Sequence, residues 1–341
     1  MNCVIVGAGR TGRGFIARLL HKQASITFID RDLQLVEALN AARSFDIRYF
    51  DGSAGETIAN YRAYHVDDPA CACALAAADA VFVSVGPSET GAAGAWLNGF
   101  SLPQCVVACE NATRPAALLG EPLKDTALSG AVFCTTVEDG GLNIAGEHYP
   151  ALHVSDGAAA GALRGLDGFV VEPDFDTLML RKMYTYNGAS GIIAYLGAQK
   201  GIEDYGEAAY DRDIAEELTR FYEQINAAVC AEYGIDRAEQ AAFAALSRVK
   251  FENRAIVDSV TRNAADPRRK LSPGERIIAP ARLIMKHGGD ARPLARTAAA
   301  ALQYMGVKTI GEAEATLTDI CGLDDDDPLR AMILEAFSSV R

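Results

Sequence analysis

The stretch RKMYTYNGASGIIAYLG, residues 181 to 197, sets Lys182, Asn187 and Ser190 among apolar, aromatic and glycine residues. On an ideal helix of 3.6 residues per turn, Asn187 sits about 140° round from Lys182, and Ser190 falls between them at about 80°. The three polar side chains can then line one side of a pocket. The residues alone leave a plainer reading open: Lys182 carries its ammonium from a core helix to water, and Asn187 is a satisfied buried amide.

Phosphate chemistry is written at the start of the chain. GAGRTG follows the apolar run CVIV and opens a helical segment, with Gly7, Gly9 and Gly12 in the GxGxxG spacing and Arg10 and Thr11 between the last two. Gly7 allows a tight turn, Gly9 lets the backbone approach a pyrophosphate, and Gly12 lets helix and strand pack closely. Asp30 ends the second apolar run about 20 residues on, where a carboxylate accepts hydrogen bonds from the adenosine ribose. It would repel a 2′-phosphate, so NAD is the expected cofactor, although Arg31 beside it pulls the other way. SVGP, residues 84 to 87, brings Gly86 and Pro87 to the end of a later strand. ACENATRP, residues 108 to 115, places Glu110 and Asn111 at the carboxyl end of another, where open α/β sheets bind ligands.

Positive charge gathers in FENRAIVDSV and DPRRKLSPGERIIAPARL, residues 251 to 260 and 266 to 283, through Arg254, Arg268, Arg269, Lys270, Arg276 and Arg282. Singly these suit a solvated face. As a group they suit an anionic substrate, because a guanidinium fork matches phosphate or carboxylate.

The elements that must carry these groups follow from periodicity. CVIVG (3 to 7), SITFID (25 to 30), ADAVFVSVG (78 to 86) and PQCVVACE (103 to 110) read as strands buried on both faces. They alternate with helical segments at 10 to 22, 32 to 43, 69 to 77 and 90 to 98, which implies a parallel sheet covered by helices. Beyond about residue 175 helical patterns dominate: 176 to 198, 206 to 233, 237 to 250, 274 to 286, 291 to 304 and 327 to 339. The expected fold is α/β, a Rossmann-type doubly wound sheet over residues 1–175 followed by a mostly α-helical domain over 176–341, as 341 residues exceed what one core usually supports. Asp324 to Asp327 reads as an acidic loop capping the last helix.

Composition excludes other classes. A net charge of −13 argues against nucleic acid as the main partner, and no apolar run approaches membrane-spanning length. The eight cysteines are scattered, and Cys71 with Cys73 is not a zinc spacing, so reduced thiols in a cytoplasm and no metal are expected. The opening residues show no signal-peptide pattern.

Together these pieces resemble the polyol-specific long-chain dehydrogenases, the mannitol dehydrogenase family. The likeness is carried, in order, by VGAGRTGRGFI, SVGP, ACEN, RKMYTYN with AYLG, and FEN with RKLSPGERI, from residue 4 to about residue 285. It implies an N-terminal NAD domain, a helical C-terminal domain and metal-free chemistry, with the family's catalytic lysine at Lys182 and its two asparagines at Asn187 and Asn111. Lys182 would exchange the proton of the reacting hydroxyl while hydride moves to or from nicotinamide, and the amides would steady the oxygen that gains charge. Burial should lower the lysine's pKa toward working pH. Two departures stand out: Ser190 replaces a histidine, and the usual valine-aspartate-arginine run reads Val137, Glu138, Asp139, Gly140, Gly141. Serine can still hydrogen-bond but does not titrate near neutrality. Among the histidines only His287, in MKHGGD, is a candidate for the site; His21, His65, His148 and His153 read as surface or core. The expected activity interconverts an acyclic polyol, best a hexitol phosphate, and its ketose, with Arg269, Lys270, Arg276 and His287 at the substrate, in a monomer or small homo-oligomer. Alternatives are a reductase of keto-sugar acids such as fructuronate or tagaturonate, and a non-catalytic NAD-binding relative.

Overall fold

The computed structural model describes residues 1–339. The chain divides into two units, one over Met1–Met179 and the other from Leu180 onward, so the change of unit falls four residues after the expected boundary, within the helix Phe175–Lys182.

The first unit holds twelve strands: Asn2–Val6 (β1), Ser25–Asp30 (β2), Ser44–Tyr49 (β3), Glu56–Ala59 (β4), Tyr61–His65 (β5), Ala80–Val83 (β6), Cys105–Glu110 (β7), Leu128–Ala131 (β8), Thr136–Glu138 (β9), Ile144–Gly146 (β10), Leu152–Ser155 (β11) and Phe169–Glu172 (β12). Eight form one sheet in the order β12-β11-β8-β7-β6-β1-β2-β5. All of its pairings are parallel except β11 with β8. Every residue of β6 and β7 is buried, which is why their sequences run apolar without alternation. The chain order reverses between β1 and β6, the switch point at which a doubly wound sheet opens a crevice at its carboxyl edge. Val6 lies opposite Ile29 on one side and Val83 on the other, so Gly7, Asp30 and Ser84 emerge side by side.

The other four strands make a small sheet, β4-β3-β10-β9. It accounts for the departure at Val137 to Gly141. Arg13, buried on the turn after the glycine loop, donates from Nε to Ala8 O at 2.7 Å, from Nη1 to Leu142 O, and pairs through Nη2 with Glu138 at 3.3 Å. Asp139 pairs with Arg48 on β3 at 3.0 Å. Glu138 and Asp139 therefore tie the small sheet to the glycine loop and to itself.

The second unit is helical. Its central run passes from Phe175–Lys182 through a π-helical turn, Met183–Asn187, into Gly188–Gln199, whose middle is wholly buried. The pattern expected as one helix over 206–233 is two, Tyr205–Tyr210 and Arg212–Tyr233. Asp211 makes the break: its carboxylate accepts from the backbone N–H groups of Asp213 and Ile214, an N-cap that starts the second helix. Close packing shapes this core. A side chain on Gly188 would begin 2.8 Å from the Phe221 ring, so only hydrogen fits there. Asp327 accepts from Leu329 N at 2.8 Å and caps the final helix, Pro328–Ser339. No helix among the described residues is long and apolar enough to cross a membrane.

Candidate functional site

In the first unit the glycines have distinct tasks. Gly7 has φ +99°, and a Cβ on it would stand 2.2 Å from the carbonyl oxygen of Ser84; a Cβ on Gly12 would stand 2.0 Å from that of Gly7. Both are sites of backbone contact. Gly9 differs: nothing lies within 4 Å of its Cβ position, and it is partly exposed, with Arg10 exposed and Thr11 half-buried beside it. The loop thus packs inward at two glycines and opens outward at the third, which is the shape a pyrophosphate needs.

A cavity of about 300 Å³ adjoins it, lined by Gly7, Gly9, Asp30, Arg31, Glu89 and Trp96 among others. Asp30 is locked in orientation: Oδ2 accepts from Ala8 N at 2.6 Å and Oδ1 from Asp32 N at 2.9 Å. Each oxygen retains a lone pair for a ribose hydroxyl. Arg31 is drawn to Glu89 at 2.5 Å. These residues fit a dinucleotide carrying an unmodified ribose.

Glu110 does something other than the expected cofactor contact. It is buried, and its Oε1 accepts from Val85 N and Gly86 N, each at 2.8 Å. Thr90 Oγ1 donates to Gly86 O at 2.9 Å. The carboxylate anchors the loop that carries Gly86, at φ +93°, and the exposed Pro87. Burial raises its pKa to about 7, against the lowering pull of the two backbone donors. Asn111, the next residue, is exposed at the end of β7.

In the second unit Lys182 is only 4% exposed, so its ammonium does not reach water along its stem. Burial first, then the like charges of Lys250 and Arg276, bring its pKa down to about 7. The π turn that follows changes the expected geometry. Such a turn takes up roughly one residue more than the 3.6 of an α turn. Five residues therefore carry Asn187 little more than one full turn from Lys182, rather than the expected angle of about 140°, and Ser190 returns to within roughly 30° of the lysine. The extra residue aligns all three on one side. Asn187 is buried with its amide donating to the sulfur of Met183 at 3.3 Å, a weak acceptor that a better one can displace. Ser190 is half-buried, and Tyr205 donates to its Oγ at 2.9 Å. Tyr205 was not among the residues expected at the site; no spacing rule joins two residues in different helices.

The cationic group sorts into two. Arg276, 6% exposed, pairs through Nε with Glu275 at 3.1 Å, while its Nη2 is buried without a hydrogen-bond partner among the described residues. Its carbonyl oxygen lies 3.4 Å from the Cβ position of Gly188, against the helix that carries Asn187 and Ser190. Lys270 is buried and donates to Asn263 O at 2.5 Å; burial, then Arg276 and Arg269, lower its pKa to about 7. Arg269 bridges Asp266 at 2.6 Å and Glu275 at 2.8 Å. The others serve elsewhere: Arg254 stacks on the Tyr210 ring at 4.4 Å, Arg282 pairs with Asp327 at 3.0 Å, and Arg268 is exposed. His287, expected near substrate, has its ring on Glu232 at 2.7 Å in company with Lys286, away from Arg269, Lys270 and Arg276 in its bonding. Among the described residues no group of three or more His, Cys, Asp or Glu side chains is placed to hold a metal ion.

A Rossmann-type unit with an open pyrophosphate loop, joined to a helical unit with a buried near-neutral lysine, defines the class of two-unit dinucleotide-dependent dehydrogenases. Residues 174–323 match the family model of the mannitol dehydrogenase C-terminal domain, and residues 3–156 match that of ketopantoate reductase PanE/ApbA. The chain is 29% identical to a mannitol-1-phosphate 5-dehydrogenase of Pseudarthrobacter chlorophenolicus, over 96% of this chain and 95% of that protein. It is 27% identical to one of Pyricularia oryzae, over 98% and 94%. In fold it is similar to the Pseudomonas fluorescens mannitol 2-dehydrogenase solved with NAD and D-mannitol, with a TM-score of 0.78 at 15% identity over 100% of this chain and 92% of that one. Over nearly its whole length the chain is thus similar to mannitol-1-phosphate 5-dehydrogenases, and over residues 174–323 to the mannitol dehydrogenase C-terminal domain.

Proposed function

We propose that this protein is an NAD-dependent dehydrogenase that interconverts a hexitol phosphate and its ketose phosphate, with mannitol 1-phosphate and fructose 6-phosphate as the first pair. The observation that carries the reading is Lys182, buried on the π-turned helix with Asn187 and Ser190 brought to its side, in a helical unit where Arg276 keeps a buried donor unsatisfied. The relatives of similar length named mannitol-1-phosphate 5-dehydrogenase support the substrate.

NAD bound at the glycine loop supplies the hydride acceptor for oxidation and, reduced, the donor for ketose reduction. Lys182 Nζ, which loses its proton near pH 7 because burial disfavours its charge, takes the carbinol proton during oxidation and returns it during reduction. Asn187 exchanges its methionine sulfur for the reacting oxygen, and its N–H meets the charge that develops there. Arg276, with Lys270 and Arg269, takes the phosphate, which satisfies the spare Nη2 and repays the burial of like charges.

The experiment is NADH oxidation with fructose 6-phosphate, fructose, fructuronate and tagaturonate in parallel, for the wild type and Lys182→Ala. Fructose 6-phosphate is expected to be turned over fastest, with loss in the lysine variant. Preference for either keto acid would transfer Arg276 to a carboxylate; turnover of none would remove the dehydrogenase reading.

A further inference from the structure

Tyr205 is 6% exposed, starts the short helix Tyr205–Tyr210, and directs its phenol at the helix Gly188–Gln199 that carries Ser190. Its hydroxyl donates to Ser190 Oγ at 2.9 Å and approaches the Ser190 carbonyl at 3.4 Å. A serine hydroxyl has one proton and two lone pairs. With one lone pair taken by the phenol, Ser190 keeps its own proton free to donate onward. A half-buried donor is thereby held with its proton to spare.

We propose that Tyr205 is a positioning residue that fixes Ser190 as a hydrogen-bond donor to a substrate hydroxyl remote from the reacting carbon. This rests on the dehydrogenase reading given above. The remoteness follows from the helix. Ser190 shares the side of Lys182 but stands about 10 Å farther along the axis, eight residues at about 1.5 Å each, shortened by the wider π turn. Across that separation the lysine attends one carbon of a six-carbon polyol, and the serine reads a hydroxyl farther along it. The backbone of Arg276 packs against the start of that helix, its carbonyl 3.4 Å from the Cβ position of Gly188, two residues before Ser190. The serine is therefore a length gauge for acyclic substrates whose terminal group is anionic. Burial holds the phenol protonated far above its ordinary range, so the pair stays a donor chain at every working pH.

Steady-state kinetics of Ser190→Ala, Tyr205→Phe, the double variant and Ser190→Thr test this, with fructose 6-phosphate and a four-carbon ketose phosphate compared. Ser190→Ala is expected to raise KM for the six-carbon substrate about 10-fold, as loss of a single hydrogen bond does, with a much smaller change in kcat. Tyr205→Phe should raise KM several-fold. The double variant should be no worse than Ser190→Ala alone, Ser190→Thr should restore much of the loss, and the shorter substrate should be indifferent to all four. Tyr205→Phe at the wild-type KM, with melting temperature lowered or not, overturns the proposal, and so do additive effects in the double variant. Those outcomes leave the activity itself standing. A wild type without ketose turnover overturns both readings.

Discussion

Glu110 and Lys182 are both buried, and burial moves the proton affinity of each to about 7 from opposite directions. Their surroundings differ in kind. Glu110 gives a single oxygen to two backbone N–H groups of the loop after β6, so its task is finished within the folded chain. Beside burial, the charges that lower the proton affinity of Lys182 are the like-signed Lys250 and Arg276, with Glu275 opposing them. A protein places a carboxyl inside backbone donors to build a loop. It gathers cations round a lysine at a cost in stability, and that arrangement has a use when the lysine must lose its proton near neutrality.

The strongest way to break this contrast is Lys182→Met. It should lower kcat by about 10³-fold, within the range for loss of a proton-transfer group. In the wild type, oxidation should rise with pH through about 7 and then level, since the base must be neutral, and ketose reduction should fall over the same interval. Stability gives an independent readout. Between pH 7 and the ordinary lysine value of 10.5 the unfolded chain binds a proton that the folded chain does not. Wild-type stability therefore gains up to about 1.4 kcal/mol per pH unit across that window from this group. The methionine variant should lose that slope and melt no lower at pH 7. A variant that melts lower while keeping its rate would make Lys182 structural, like Glu110.

Glu110 sharpens the comparison with a smaller effect. Glu110→Ala removes the acceptor for Val85 and Gly86 and should destabilise the fold by about 1–3 kcal/mol, raising KM for NAD about 10-fold. Glu110→Gln can keep both bonds through its remaining carbonyl oxygen, so KM for NAD should hold. Its distinctive mark is in acid: the folded chain binds the Glu110 proton up to about 7 and the unfolded chain only up to 4.5. The wild type thus loses stability from this group as pH rises from 4.5 to 7, and the glutamine variant should not. Denaturant melts across that range read the difference.

How much of this was legible depended on the range of the interaction. GAGRTG, Asp30 and the strand ends Glu110 and Asn111 are local signals, and the parallel sheet carries them at its carboxyl edge, with Glu110 turned to the backbone of Val85 and Gly86. SFDIRY, β3, carries a plain alternation, buried at every second residue, but it follows so directly on a helix that it lacks a turn signal to set it apart. The π turn was hidden because side-chain spacing reports angle only after a hydrogen-bond register is assumed. Tertiary partners were hidden too. Nothing in the local sequence says that Tyr205 meets Ser190, that Glu138 belongs to Arg13, or that Glu232 claims His287. The cationic group was legible as composition and not as sites, since Arg254 and Arg282 were diverted by Tyr210 and Asp327.

The least effect expected lies at the rim of the dinucleotide cavity, where Asp30 and Arg31 give opposed instructions to a cofactor. Asp30 is fixed by two backbone donors and repels a 2′-phosphate; Arg31 would attract one, yet its guanidinium is drawn to Glu89 at 2.5 Å. The pair is largely exposed, so it adds little to stability, about 0–1 kcal/mol at most. Its consequence is for selectivity. Glu89→Gln frees Arg31 without touching Asp30, and should improve kcat/KM with NADP about 3-fold while that with NAD and the melting temperature stay near wild type. Asp30→Ala in the same background should multiply the gain, because the repulsion and the neutralised attraction act on the same phosphate. If Glu89→Gln weakened NAD instead, the glutamate would be a cofactor contact rather than a restraint on Arg31.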